Sequence, residues 1–117
     1  MGLLSNFLIL LTMDRYLFFC NGTSDESDTL CLPVSQIEGM EISANNAVRI
    51  YFNDLGGADT NQGSVIVNCT AGKTKEVMKA ITEVSNFSVD PFIVVADDFR
   101  SEFIGDITSC GAITEQA

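Results

Sequence analysis

The chain contains no histidine, and that absence removes much of the usual enzyme chemistry. Imidazole is the common general base for a serine or cysteine nucleophile and a frequent zinc ligand, so Cys-His catalysis and His-containing zinc sites are excluded. Basic residues are also few: six Lys and Arg stand against 16 Asp and Glu, for a net charge of −10. A protein that neutralises phosphates needs clustered Lys and Arg. Here Arg15, Arg49, Lys73, Lys75, Lys79 and Arg100 are scattered, except for three that mark the solvated face of an expected helix. Nucleic acid is therefore not an expected partner. The surplus of negative charge favours solubility and suits docking onto a basic surface.

Other signatures are missing. The four cysteines, Cys20, Cys31, Cys69 and Cys110, include no C-x-x-C pair, and they read as small buried apolar side chains. Two disulfides are open to them in principle, but a chain this apolar does not need the cross-links. There is no G-x-S-x-G elbow, no D-x-[DN]-x-[DN]-G calcium frame, and no repeat at solenoid spacing. Three N-x-[ST] triplets begin at Asn21, Asn68 and Asn86. Such triplets arise by chance in a chain rich in Asn and Thr, and they carry no glycosylation reading here.

What is present is enough for one folded unit. A hydrophobic share of 46% over 117 residues is that of a globular chain, and the length leaves no room for a second core. Residues 13–117 are expected to form a single domain, preceded by an apolar N-terminal extension or arm over 1–12. That extension, with Leu3, Leu4, Phe7, Leu8, Ile9, Leu10 and Leu11, makes a poor signal peptide. No basic residue precedes it, no small-residue cleavage site follows it, and Asp14-Arg15 stops it short of the ~20 residues that span a bilayer. The favoured reading is a domain starting at Met13, or a tail that docks on a neighbour; a signal or membrane anchor is the alternative.

From Asp14 onward the pattern is that of short strands broken by one helix. Tyr16 to Cys20 is an aromatic strand-type run that stops at Asn21-Gly22 before the acidic loop Ser24 to Asp28. Leu30 to Val34 and Gly39 to Ser43 read as further strands. Ala47 to Asn53 alternates, with Val48, Ile50 and Phe52 on one face. Beyond a loop from Asp54 to Gly63, Ser64 to Cys69 completes a long-tipped hairpin. Val77, Ile81 and Val84 recur at helical spacing within Lys73 to Asn86, and Lys75, Lys79 and Glu83 point outward. Phe92 to Ala96 is continuous enough for a central strand, and Asp106 to Thr114 supplies the last. The expected class is α+β: an antiparallel or mixed sheet of about five to seven short strands, with one main helix over about 73–86 packed on one face.

Two clusters invite a chemical reading. Gly72-Lys73-Thr74 follows a strand and opens a helix, as a phosphate-binding loop does, and Asp97 imitates the acidic residue that helps hold Mg²⁺. The motif's first glycine falls at position 67, which is Val67, so the loop cannot wrap phosphates. The simpler role is Gly72 relieving the turn and Thr74 capping free N–H groups near the helix start. A small nucleotide-binding or regulatory protein using this turn remains the alternative function. Asp97, Asp98, Glu102 and Asp106 place four carboxylates within ten residues. Without a calcium-loop frame the simpler account has Asp97 or Asp98 capping a short helical turn from Phe99 to Ile104, with Glu102 in solvent. No catalytic, cofactor-binding or metal residue is assigned.

The run Arg15-Tyr16-Leu17-Phe18-Phe19, the stretch Lys75 to Ile81, and Phe92 to Asp98 followed by Ser101 to Ile104 and Asp106-Ile107-Thr108 together resemble small virion proteins of marine tailed bacteriophages, cyanophages among them. The likeness spans residues 14 to 114. It implies a non-enzymatic structural role, a capsid decoration or cement protein on the virion surface, made in the host cytoplasm. The implied partners are capsid or other virion proteins and further copies of itself, with no cofactor, nucleic acid or membrane. The resemblance brings no functional residues with it.

Overall fold

The structure is a computed structural model and describes residues 14–22, 29–53 and 62–114. The N-terminal extension, Met13, the acidic loop and most of the hairpin tip lie outside the described residues. In chain order the elements are β1 (Tyr16–Cys20), β2 (Thr29–Pro33), a 3-10 turn (Val34–Gln36), β3 (Ile37–Ala44), β4 (Ala47–Asn53), β5 (Gln62–Cys69), α1 (Thr74–Phe87), β6 (Phe92–Asp97), β7 (Glu102–Phe103) and β8 (Ile107–Thr114).

The α+β class holds, but the single sheet does not. The described strands divide into two four-stranded sheets, ordered β2-β1-β6-β7 and β3-β4-β5-β8. Alternation along a strand says which face is apolar; it does not say which neighbours share its ladder. The first sheet is mixed, because β1 pairs antiparallel with β2 and parallel with β6. The second is antiparallel throughout and contains the expected hairpin, with Val48 opposite Val67 and Ile50 opposite Val65.

Both sheets and the helix turn their apolar faces onto one cluster. Leu17, Phe19, Leu30 and Leu32 come from the mixed sheet, Val48, Ile50, Phe52, Val65 and Val67 from the antiparallel one, and Val77 and Ile81 from α1. Each such Leu, Ile or Phe contributes about 1.5–3 kcal/mol through removal from water. At the end of this core Phe52 faces Gly63 across the β4–β5 ladder. A Cβ on Gly63 would meet the Phe52 ring, with Cζ at 2.7 Å, so glycine here makes room for the aromatic side chain.

The helix crosses the chain from the antiparallel sheet back to the mixed one. Gly72, at φ +82°, takes the left-handed conformation that turns β5 toward α1. Lys73 stands at the N-cap and no side chain caps the helix there. Thr74 is instead buried as the first helical residue, so the expected capping role is not the one observed. At the far end Ser88 is extended, and Arg15 reaches the helix C-terminus with Nε donating to the Ser88 carbonyl at 2.7 Å. The helical turn expected from Phe99 to Ile104 is also replaced: a tight turn over 98–101 leads into β7, which pairs with the end of β6. Asp97 Oδ1 accepts the Arg100 N–H and closes that turn, after which Ser101 at φ 56° redirects the chain into a strand.

Candidate functional site

The Gly72-Lys73-Thr74 turn is wired for folding. In a phosphate-binding loop the glycine amides point at the ligand. Here the Gly72 N–H donates to the Asn45 carbonyl at 2.9 Å and the Lys73 N–H to the Thr70 carbonyl at 3.0 Å. The turn thereby ties the start of α1 to the β3–β4 connection.

The carboxylates near the end of β6 are brought to different tasks. Asp98 is a clasp between the two sheets: its Oδ1 accepts the Cys110 N–H of β8 at 2.8 Å and its Oδ2 the Gly22 N–H at 3.2 Å. Its own N–H donates to the Cys20 carbonyl at 3.0 Å, and beside it the Asn21 amide donates to the Gly111 carbonyl at 2.8 Å. Asp97 is buried, while Glu102 and Asp106 are exposed. No group of three or more Cys, Asp or Glu among the described residues is arranged to hold a metal ion.

Next to this clasp lies a pocket of about 210 Å³ lined by Phe18, Cys20, Thr29, Asp97, Phe99 and Arg100. Its chemistry is the reverse of what a nucleophilic thiol requires. A reactive cysteine sits in an electropositive, partly exposed setting that favours thiolate. Burial pushes the Cys20 thiol up, and the charges of Asp97 and Asp98 push the same way. Cys110 is held up to about 12, first by burial and then by Asp98. Burial, with a contribution from Asp106, likewise raises Cys69. All four cysteines are free thiols; Cys20, Cys69 and Cys110 are buried and Cys31 is exposed. The one cation at the pocket, Arg100, lies over the Phe99 ring at 5.3 Å from its centroid.

A different surface stands out by its composition. On the face of the mixed sheet turned away from the core, Tyr16 and Phe92 are 40% and 48% exposed and sit opposite one another on β1 and β6. Phe18 packs on Phe92 with ring centroids 5.5 Å apart, and Cys31 and Val94 extend the surface to either side. At the end of α1 and in its connection to β6, Phe87 and Val89 are more exposed still. The signal for this face was present in the sequence, since Tyr16 to Cys20 and Phe92 to Ala96 are apolar at every position. Such runs read as strands buried on both sides; here the second side is covered at the Cys20 end, next to Phe99, and left partly exposed along Tyr16, Phe18, Phe92 and Val94.

No protein-family model, curated protein or solved structure matches this chain. No helix among the described residues is long and apolar enough to cross a membrane.

Proposed function

We propose that this chain is a non-enzymatic structural subunit of a phage particle, a capsid decoration or cement protein present in many copies, which docks through the outer face of the mixed sheet. The observation that carries the reading is the aromatic face formed by Tyr16, Phe18 and Phe92. A protein gains nothing from holding such side chains in water, and removing one of them from solvent at a contact contributes about 1.5–3 kcal/mol. The net charge of −10 supplies the second half of the argument, because it steers the subunit toward a basic shell surface while keeping free copies apart. Thiols held protonated and an Asp98 carboxylate with both oxygens occupied favour this role over a catalytic one.

The test is quantitative mass spectrometry of purified particles, counting copies of this chain against copies of the major shell protein. A ratio close to a simple fraction supports a decoration or cement role. Its absence from particles, with the protein found free in cells, overturns that role.

A further inference from the structure

Between the second half of α1 and the corner that joins β2 to β3 runs a groove of about 220 Å³. Val34, Ile37 and Met40 form one wall, and Ile81 and Ser85 lie on the other. None of the residues lining it is charged. Beside it the Ser85 hydroxyl is shielded from solvent and has no hydrogen-bond partner among the described residues. A helical serine can bond back to the carbonyl four residues earlier. The neighbouring Thr82 does so, donating to the Met78 carbonyl at 2.8 Å. Ser85 does not, and its unpaired hydroxyl carries a desolvation cost next to the groove.

The described chain begins at one end of this groove. Asp14 accepts from the Ser35 hydroxyl at 2.9 Å and from the Ser35 N–H at 3.3 Å, next to Val34 on the first wall. Arg15 donates to the Ser85 carbonyl at 3.5 Å and to Ser88 on the second wall. These two residues bridge the walls and fix where the preceding segment must start. That segment, residues 1–13, has no charged side chain and carries Leu8, Ile9, Leu10 and Leu11 immediately upstream. At a reach of at most about 3.3–3.6 Å per residue, Leu11 and Leu10 lie within roughly 15 Å of Asp14.

We propose that this groove is the seat of the chain's own N-terminal segment, bound in cis, with apolar side chains from residues 8–11 filling it. An uncharged segment meets an uncharged groove. The short tether gives it an effective concentration in the millimolar range, ahead of any free competitor. The inference is independent of the phage reading, since it concerns a different surface from the one proposed to dock on a shell.

The experiment uses the full chain with a benzophenone side chain at position 82, an exposed residue on the groove's rim. Intact mass first establishes that residues 1–13 are retained. Irradiation of a dilute mixture of isotopically light and heavy copies is expected to give crosslinks between position 82 and the 1–13 peptide, all within one isotope class. A matched pair, the full chain and the same chain carrying Leu8→Asp and Leu11→Asp, is expected to differ several-fold in binding of a hydrophobic dye, the second binding more. Loss of residues 1–13 from the purified protein, crosslinks that join light to heavy copies, crosslinks elsewhere or none, or equal dye binding would each overturn the proposal.

Discussion

Arg15 and Ser88 are 73 residues apart in sequence, yet the Arg15 guanidinium closes the C-terminus of α1 by donating to the Ser88 carbonyl. The last turn of this helix contains no basic residue of its own, so the charge that complements its dipole comes from the far end of the chain. Arg15→Ala is expected to cost about 1–2 kcal/mol, seen as a fall of roughly 4–10 °C in the thermal midpoint. Arg15→Lys keeps the charge without the two-pronged reach and is expected to recover only part of the loss. Equal midpoints for wild type and Arg15→Ala would show that the contact contributes nothing.

Gly63 provides a packing test. Adding a Cβ there drives it into the Phe52 ring and to within 3.0 Å of the Thr114 carbonyl, so Gly63→Ala is expected to destabilise by about 2–3 kcal/mol. Combining it with Phe52→Leu should cost less than the sum of the two single changes, because the smaller side chain vacates the space. Urea denaturation of the four proteins measures this directly, and additive losses would place the clash elsewhere.

Asp98 joins three segments, and its replacement leaves two N–H groups without acceptors. Asp98→Ala is expected to cost about 2–4 kcal/mol, with Asp98→Asn milder because one carbonyl oxygen remains. Calcium or magnesium at millimolar concentration should leave the wild-type midpoint unchanged, since both carboxylate oxygens are already engaged. A clear rise on adding either ion would assign Asp98 to a cation site instead.

The buried thiols set an alkaline limit. Cys110 ionises at about 12 when folded against 9.0 as its ordinary value, and burial shifts Cys20 and Cys69 in the same direction. Above pH 9 the unfolded chain releases these protons while the folded chain keeps them, so stability is intact up to about pH 9 and falls as pH rises toward 12. The urea midpoint is expected to decline over that window, less steeply in Cys110→Ala. At pH 8, iodoacetamide should modify one thiol per native chain, Cys31, and four after unfolding. Rapid loss of all four thiols in the native protein would contradict this burial.

For the aromatic face, Phe92→Ser removes a half-exposed side chain whose loss is expected to change stability by less than about 1 kcal/mol. If the face docks on a shell, the same change should weaken association with particles about tenfold or more, as measured by co-sedimentation. Unchanged co-sedimentation would move the contact to another surface.

Much of this architecture was legible in the residues. Ala47 to Asn53 and the stripe of Val77, Ile81 and Val84 lie where their periodicity puts them, because alternation and helical spacing report local geometry. The split into two sheets was not legible, since Leu17 and Val48 both turn an apolar side chain inward and nothing in either strand names its ladder partner. The candidate sites behaved in the same way. The missing glycine at Val67 was visible and decisive against a phosphate loop. The Asp98 clasp depends on Gly22 and Cys110 converging from distant segments, and the aromatic face depends on where β1 and β6 meet, which neither run specifies by itself.

The parallel pairing of β1 with β6 also dictates an order of events during synthesis. Phe18 cannot meet Val94 until β6 has been synthesised, whereas β3, β4 and β5 follow one another directly in the chain. β3, β4 and β5 can therefore pair before β1 finds β6, while β1 has β2 as its one neighbour. During that interval the β1 edge that will take β6 is open beside Tyr16, Phe18 and Phe19, so crowding of nascent chains endangers this segment.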